Sequence, residues 1–224
     1  MGPVIGDLLP LAVGVAISPI PIIAVILMLL APEAGGTSAG FLAGWVVGIV
    51  GATTLFLLLA GTVDLGSSDE PSAAVSWVKL GLGVLLLLLA ARQWQGRPQP
   101  GAEPALPKWM AAIDEFTAGK AVGLGLALSA VNPKNLLMCV AAGTTIAAGG
   151  LSGGQEVWSV AVFTLIAAST VAVPVAAYAI GRKRMAAPLE SLHRWLTVHN
   201  GAVMATLLLV IGVVLIGKGV GGLL

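Results

Sequence analysis

Six apolar runs alternate along this chain with short segments rich in glycine, proline or charge. They span residues 8–31, 40–63, 74–94, 121–148, 158–181 and 201–220. Each is long enough for a membrane helix, which needs about 20 apolar residues. The pattern predicts an all-α membrane protein with six transmembrane helices. Two of the runs are interrupted near their middle, at Ser18-Pro19-Ile20-Pro21 and at Asn132-Pro133-Lys134-Asn135. Proline inside a helix removes a backbone hydrogen bond and clashes with the preceding turn. In a bilayer the freed carbonyls are tolerated only where protein or a wet cavity satisfies them. Helices 1 and 4 are therefore expected to be broken, and the turns at 32–36 and 149–154 fold each back on its successor as a hairpin.

Pro21 and Pro133 lie 112 residues apart, half of the 224-residue chain. Segments 11–30 and 123–142 overlay with these prolines in register. Small residues precede each break: Gly14 and Ala16 in one, Gly125, Ala127 and Ser129 in the other. Downstream, Gly51-Ala52-Thr53-Thr54 resembles Ala167-Ala168-Ser169-Thr170 at a slightly larger offset. Three spans per half means that the second copy enters the membrane from the opposite face, as an inverted repeat. Paired interruptions in such repeats point to a transport site. The predicted organisation is a first repeat over 1–94, a linker over 95–120 and a second repeat over 121–224.

Composition agrees. Charged residues are 9% of the chain and mean hydropathy is +1.01, against roughly 25% charged in soluble domains. The first residues lack a basic segment and run into a long apolar stretch, which reads as a retained transmembrane helix rather than a signal peptide. Of eleven Lys and Arg, eight (Arg92, Arg97, Lys108, Lys120, Arg182, Lys183, Arg184 and Arg194) fall in loops of one side. Lys79 and Lys218 fall on the other. The positive-inside rule then places both termini outside the cytoplasm of an inner (plasma) membrane. In the linker, Pro98, Pro100, Pro104 and Pro107 predict an extended spacer. Beyond them, Trp109, Ile113 and Phe116 recur at helical spacing opposite Asp114 and Glu115, and predict a short helix on the membrane surface. A similar helix is expected near 188–198, with Pro188 in its first turn and Leu189, Leu192 and Leu196 beside Arg194 and Trp195. Both serve for anchoring or for docking a partner.

Lys134 is the basic residue placed deep in an apolar run. Such a residue faces a cavity or a partner, because its insertion costs about 2.5–3.5 kcal/mol. Two roles are open to it: binding or gating an anionic substrate, or bonding carbonyls freed at Pro21 and Pro133. Asn132, Asn135 and Ser18 are expected to cap loosened backbone or to touch ligand. Thr53, Thr54, Ser169 and Thr170 are candidates for a polar cavity between helices 2 and 5, or for bonding back to their own helices. Pro174 is expected to kink helix 5. The sequence has no P-loop, no Ser/His/Asp arrangement within the membrane and no metal-ligand spacing at His193 and His199. Enzymatic function, cofactors and metal sites are not expected. One cysteine, Cys139, excludes an internal disulfide. Gly40, Gly44, Gly48 and Gly51 form a close-packing face, within one chain or in a homodimer.

The two breaks, six spans and inverted halves resemble the lysine exporter superfamily of small membrane transporters. Within it the chain is similar to the GAP family of peptidoglycolipid- or sulfolipid-addressing proteins. The resemblance rests on Ala16-Ile17-Ser18-Pro19-Ile20-Pro21-Ile22-Ile23-Ala24, on Leu128-Ser129-Ala130-Val131-Asn132-Pro133-Lys134-Asn135-Leu136-Leu137 and on Trp195-Leu196-Thr197-Val198-His199-Asn200. It implies movement of glycolipid or lipopeptide toward the outer envelope of lipid-rich Gram-positive bacteria, beside a larger lipid exporter. The superfamily also implies an alternative, proton-coupled export of an amino acid or ion. Ser18, Pro19, Pro21, Asn132, Pro133, Lys134 and Asn135 would form the substrate or gating site.

Overall fold

The computed structural model describes residues 1–62, 73–96, 113 and 115–223. Among them every regular element is a helix: α1 (Gly2–Ala16), α2 (Pro19–Leu30), α3 (Ala34–Thr62), α4 (Ala73–Gln95), α5 (Ala118–Leu126), α6 (Pro133–Ala147) and α7 (Gly153–Gly221). A π-helical turn, Ala127–Val131, extends α5 toward α6. The proline-rich spacer, with Pro98, Pro100, Pro104, Pro107, Trp109 and Asp114, lies outside the described residues. So do Arg97 and Lys108.

Both interrupted runs are sharply bent. The axes of α1 and α2 meet at 51°, and those of α5 with its π turn and α6 at 63°. Pro19 and Pro133 each take the first position of the second helix of the pair. There the missing N–H would have had no intrahelical partner, and the fixed φ suits the helix start. Pro10 sits inside α1 without ending it. Four helices are long and apolar enough to cross a membrane, and the spans number six if each bent pair counts as one.

α7 departs from expectation in two ways. Its helical dihedrals fail at Gly181 (φ −152°, ψ 59°) rather than at Pro174. The break divides it into a first arm, Gly153–Gly181, and a second, Met185–Gly221. The surface helix predicted near 188–198 is not separate but runs unbroken into the last span. No proline follows Pro188 in this stretch, and extending a helix that already exists costs little.

Glycines set the helix packing. A Cβ on Gly40 would stand 2.6 Å from the Ala118 carbonyl oxygen, one on Gly44 would collide with the Val122 carbonyl, and one on Gly48 with the Ser129 hydroxyl. Farther along, a Cβ on Gly143 would lie 2.7 Å from the Thr53 carbonyl oxygen and the Leu57 nitrogen. Residue numbers rise together across these contacts, so α5 and α6 run parallel to α3. Gly40, Gly44 and Gly48 are thus used inside the chain, whereas Gly51 faces open space. A second glycine seam joins α4 to the second arm of α7: Gly83 faces Gly212 and Ile216, and Gly219 faces Ser76 and Leu80. These two helices are antiparallel.

One end of the bundle gathers the start of α1, the start of α4 and the end of α7. Asp7 and Lys218 form an ion pair there, and Lys79 lies within electrostatic reach of both. The opposite end carries Arg92, Lys120 and the break at Gly181. Between the ends, the surface presents large apolar side chains to its surroundings, including Leu165 at 70% exposure and Ile180 at 90%. A girdle of this kind requires lipid rather than water around it. Gly44→Val should therefore lower stability by about 1–3 kcal/mol, since rigid backbone blocks the added volume. Gly51→Ala should change it by less than about 0.5 kcal/mol. Thermal unfolding in detergent compares the two.

Candidate functional site

At each bend the helical hydrogen-bond ladder is interrupted, and a side chain supplies a donor to one carbonyl there. Ala16 and Leu128 stand at the same sequence distance before Pro21 and Pro133. The Ala16 carbonyl accepts from Thr170 Oγ1 on the first arm of α7, at 2.5 Å. The Leu128 carbonyl accepts from Asn135 Nδ2, at 2.8 Å across the break. Asn132 caps α6, its Oδ1 accepting from the Lys134 backbone N–H at 3.1 Å. Its own N–H donates to the Ala127 carbonyl, which closes the π turn. Such turns occur frequently at functional sites. Ser129 Oγ donates to the Gly125 carbonyl at 2.8 Å and lies against Gly48, near the middle of α3.

The Lys134 side chain takes part in none of this repair. It is 3% exposed, and its Nζ has no hydrogen-bond partner among the described residues. One carbonyl at each bend is served by another side chain, Ala16 by Thr170 and Leu128 by Asn135. Removing an ion from water costs several kcal/mol unless a partner compensates. The lysine instead lines a pocket of about 430 Å³, together with Ile20, Leu89, Arg92, Gln93, Gly96, Asn132, Pro133, Met204 and Leu208. This pocket touches both breaks, through Ile20 on one side and Asn132-Pro133-Lys134 on the other. It extends to the Arg92 end of α4.

The remaining expected residues are distributed unequally. Ser18 is buried but makes no side-chain cap to α2. Pro19 and Pro21 pack in the interior, as does Asn135, whose Oδ1 has no partner among the described residues. Ser169 and Thr170 line a separate cavity of about 390 Å³ with Ile22, Val173, Pro174, Leu192 and Leu196. Thr53 and Thr54 do not join them there. Thr53 is buried beside the Cys139 thiol, against α6. The expected four-residue polar cavity is thus not formed, because the glycine seam turns this part of α3 toward α6. Ser169 bonds back to the Ile166 carbonyl at 2.7 Å, the ordinary role of a helical serine. Arg92 was read from sequence only as a loop charge. Its place beside Lys134 depends on how α4 packs and left no local signal. Among the described residues no cluster of His, Cys, Asp and Glu could hold a metal ion.

Long apolar helices, two bent helix pairs and an apolar girdle define a multi-pass membrane protein, with a buried lysine at one bend. Its sequence matches the model of one protein family, described as Sap, sulfolipid-1-addressing protein, over residues 8–221. The match covers nearly the whole chain, which belongs to this family. No curated protein and no solved structure matches it.

Thr170→Val removes the donor to the Ala16 carbonyl while keeping the side chain's shape. It should destabilise the protein by about 0.6–1.7 kcal/mol, the range for interhelical bonds in membranes. Thr170→Ser should stay near wild type. Thermal unfolding in detergent, with the two variants side by side, checks this.

Proposed function

We propose that this chain is a non-enzymatic transporter, or an accessory of a larger lipid exporter, that moves glycolipid or lipopeptide toward the outer envelope. Its working site is the midplane region where the two broken helices meet. The observation that carries this reading is Lys134, a buried cation whose Nζ has no partner among the described residues, at a bend where Asn135 serves the Leu128 carbonyl. An intramembrane ionisable residue marks a functional site by default. Family membership supports the lipid class of cargo.

Two six-span features belong to the same reading. The two bent pairs, each with a proline opening its second helix, support two inverted repeats of the lysine exporter kind. So does the parallel course of α3 beside α5 and α6. In such repeats a site at the repeat interface opens alternately to each side. The basic residues support placing the Arg92 end in the cytoplasm, with both termini outside an inner membrane. Because Gly40, Gly44 and Gly48 are consumed within the chain, they offer no face to a second copy.

The test is lipid profiling of a deletion strain of the source organism. Deletion should deplete a surface glycolipid and the wild-type gene should restore it. Lys134→Ala should not restore it, at equal membrane abundance. A surface-lipid profile untouched by deletion would remove the lipid assignment. Flux of an amino acid into proteoliposomes holding this protein alone would instead favour the small-solute exporter.

A further inference from the structure

We propose that the pocket between α4, the start of α6 and the second arm of α7 is a receptor for a tetrahedral oxyanion, a phosphate or sulfate ester. Lys134 is its inner cation and Arg92 its outer one. The proposal rests on the reading above only in taking a lipid as the bearer of that group.

Three positive elements converge on this space. Lys134 is buried, lines the pocket and has no partner for its Nζ among the described residues. The 15-residue α6 begins here, with Asn132, Pro133 and Lys134 all in the lining. A helix N-terminus carries partial positive charge and favours an anion. Arg92 belongs to the last turn of α4 and is exposed, so its fork is free to meet a ligand at the pocket mouth. A guanidinium matches phosphate or sulfate oxygens two at a time, while the ammonium acts as a point charge. Gln93 adds a neutral donor. Among the described residues no Asp or Glu lines the pocket, a lining that favours an anion over a cationic headgroup.

The rest of the lining points to what carries the anion. Ile20, Leu89, Met204 and Leu208 give the same pocket an apolar lining. A free ion gains nothing from them, whereas an acyl chain or the apolar face of a glycan does. Entry is from the Arg92 end, where Arg92 meets the ligand first and Lys134 receives it at the break. Among the described residues no cation lines the cavity at the first break, beside Ile22, Leu192 and Leu196. The inner cation belongs to the second break.

Titration calorimetry of the full chain in neutral detergent tests this, with dihexanoyl phosphatidic acid, dihexanoyl phosphatidylcholine and inorganic phosphate as probes. Phosphatidic acid should bind about tenfold or more tightly than phosphatidylcholine. Arg92→Gln and Lys134→Met should each weaken it about tenfold, the effect of losing one charged hydrogen bond. Arg92→Lys should recover part of the loss. Arg92 is exposed, so Arg92→Gln leaves the fold intact even if Lys134→Met disturbs it. If inorganic phosphate binds with this dependence and phosphatidic acid does not, the oxyanion receptor stands and the lipid reading falls. If phosphatidic acid binds wild type and both variants equally, the lipid reading stands and the receptor falls. Binding of neither probe also overturns the receptor.

Discussion

Backbone polar groups in hydrocarbon must be satisfied by the protein itself, and the two bends of this chain meet that constraint with side chains. At the first, a threonine reaches over from α7 to the Ala16 carbonyl. At the second, an asparagine one turn on reaches back to Leu128. The solutions differ because the residues differ. Counted from the first residue of the second helix, Pro21 holds the place in the first half that Asn135 holds in the second, and proline cannot donate. A donor from another helix is then required, which docks the first arm of α7 against the end of α1. The energy of each bond is modest, about 0.6 kcal/mol on average in such settings. Leaving a buried carbonyl bare would cost more.

The Lys134 side chain serves neither of these two carbonyls. Under the proposed reading it is open to a group entering from the pocket. The glycine seams make this arrangement possible. Gly44 and Gly48 let α5 approach α3 closely enough to seat Ser129 at mid-helix. Gly83 and Gly212 bring α4 against the second arm of α7, which sets Arg92, Met204 and Leu208 around one space. The Asp7–Lys218 pair closes the far end. Its exposed setting makes it a weak contributor to stability.

The helical class and both bends were legible in the sequence because bilayer length and proline chemistry are strong local signals. The role of Asn132 as a cap was also readable, since asparagine before a first-turn proline has a local reason to bond backbone. Thr170 was visible as a candidate but not its partner, since a contact between residues 16 and 170 is a product of packing. The surface helix near 188–198 was misjudged as separate, because amphipathic pattern marks a face and does not mark an end. Placing Thr53 and Thr54 beside Ser169 and Thr170 also failed. Their similar sequences suggested a shared cavity, but the rotation of α3 is set by its glycines. Arg92 escaped notice for the opposite reason: as one of eight basic loop residues it looked generic.

The most direct measurement is whether water reaches the second bend from outside the protein. In a Cys139→Ala background, Asn132→Cys and Leu58→Cys can be compared for labelling by a membrane-impermeant maleimide in open membranes. Thiols react as thiolates and so require a wet, polar setting. Leu58 is 62% exposed on the apolar girdle and should stay unlabelled in lipid. A cysteine at position 132 should label readily, and the label should slow when Arg92 is replaced by tryptophan at the pocket mouth. Equal inertness at both positions would mean that the bend is sealed, and that Lys134 serves no ligand.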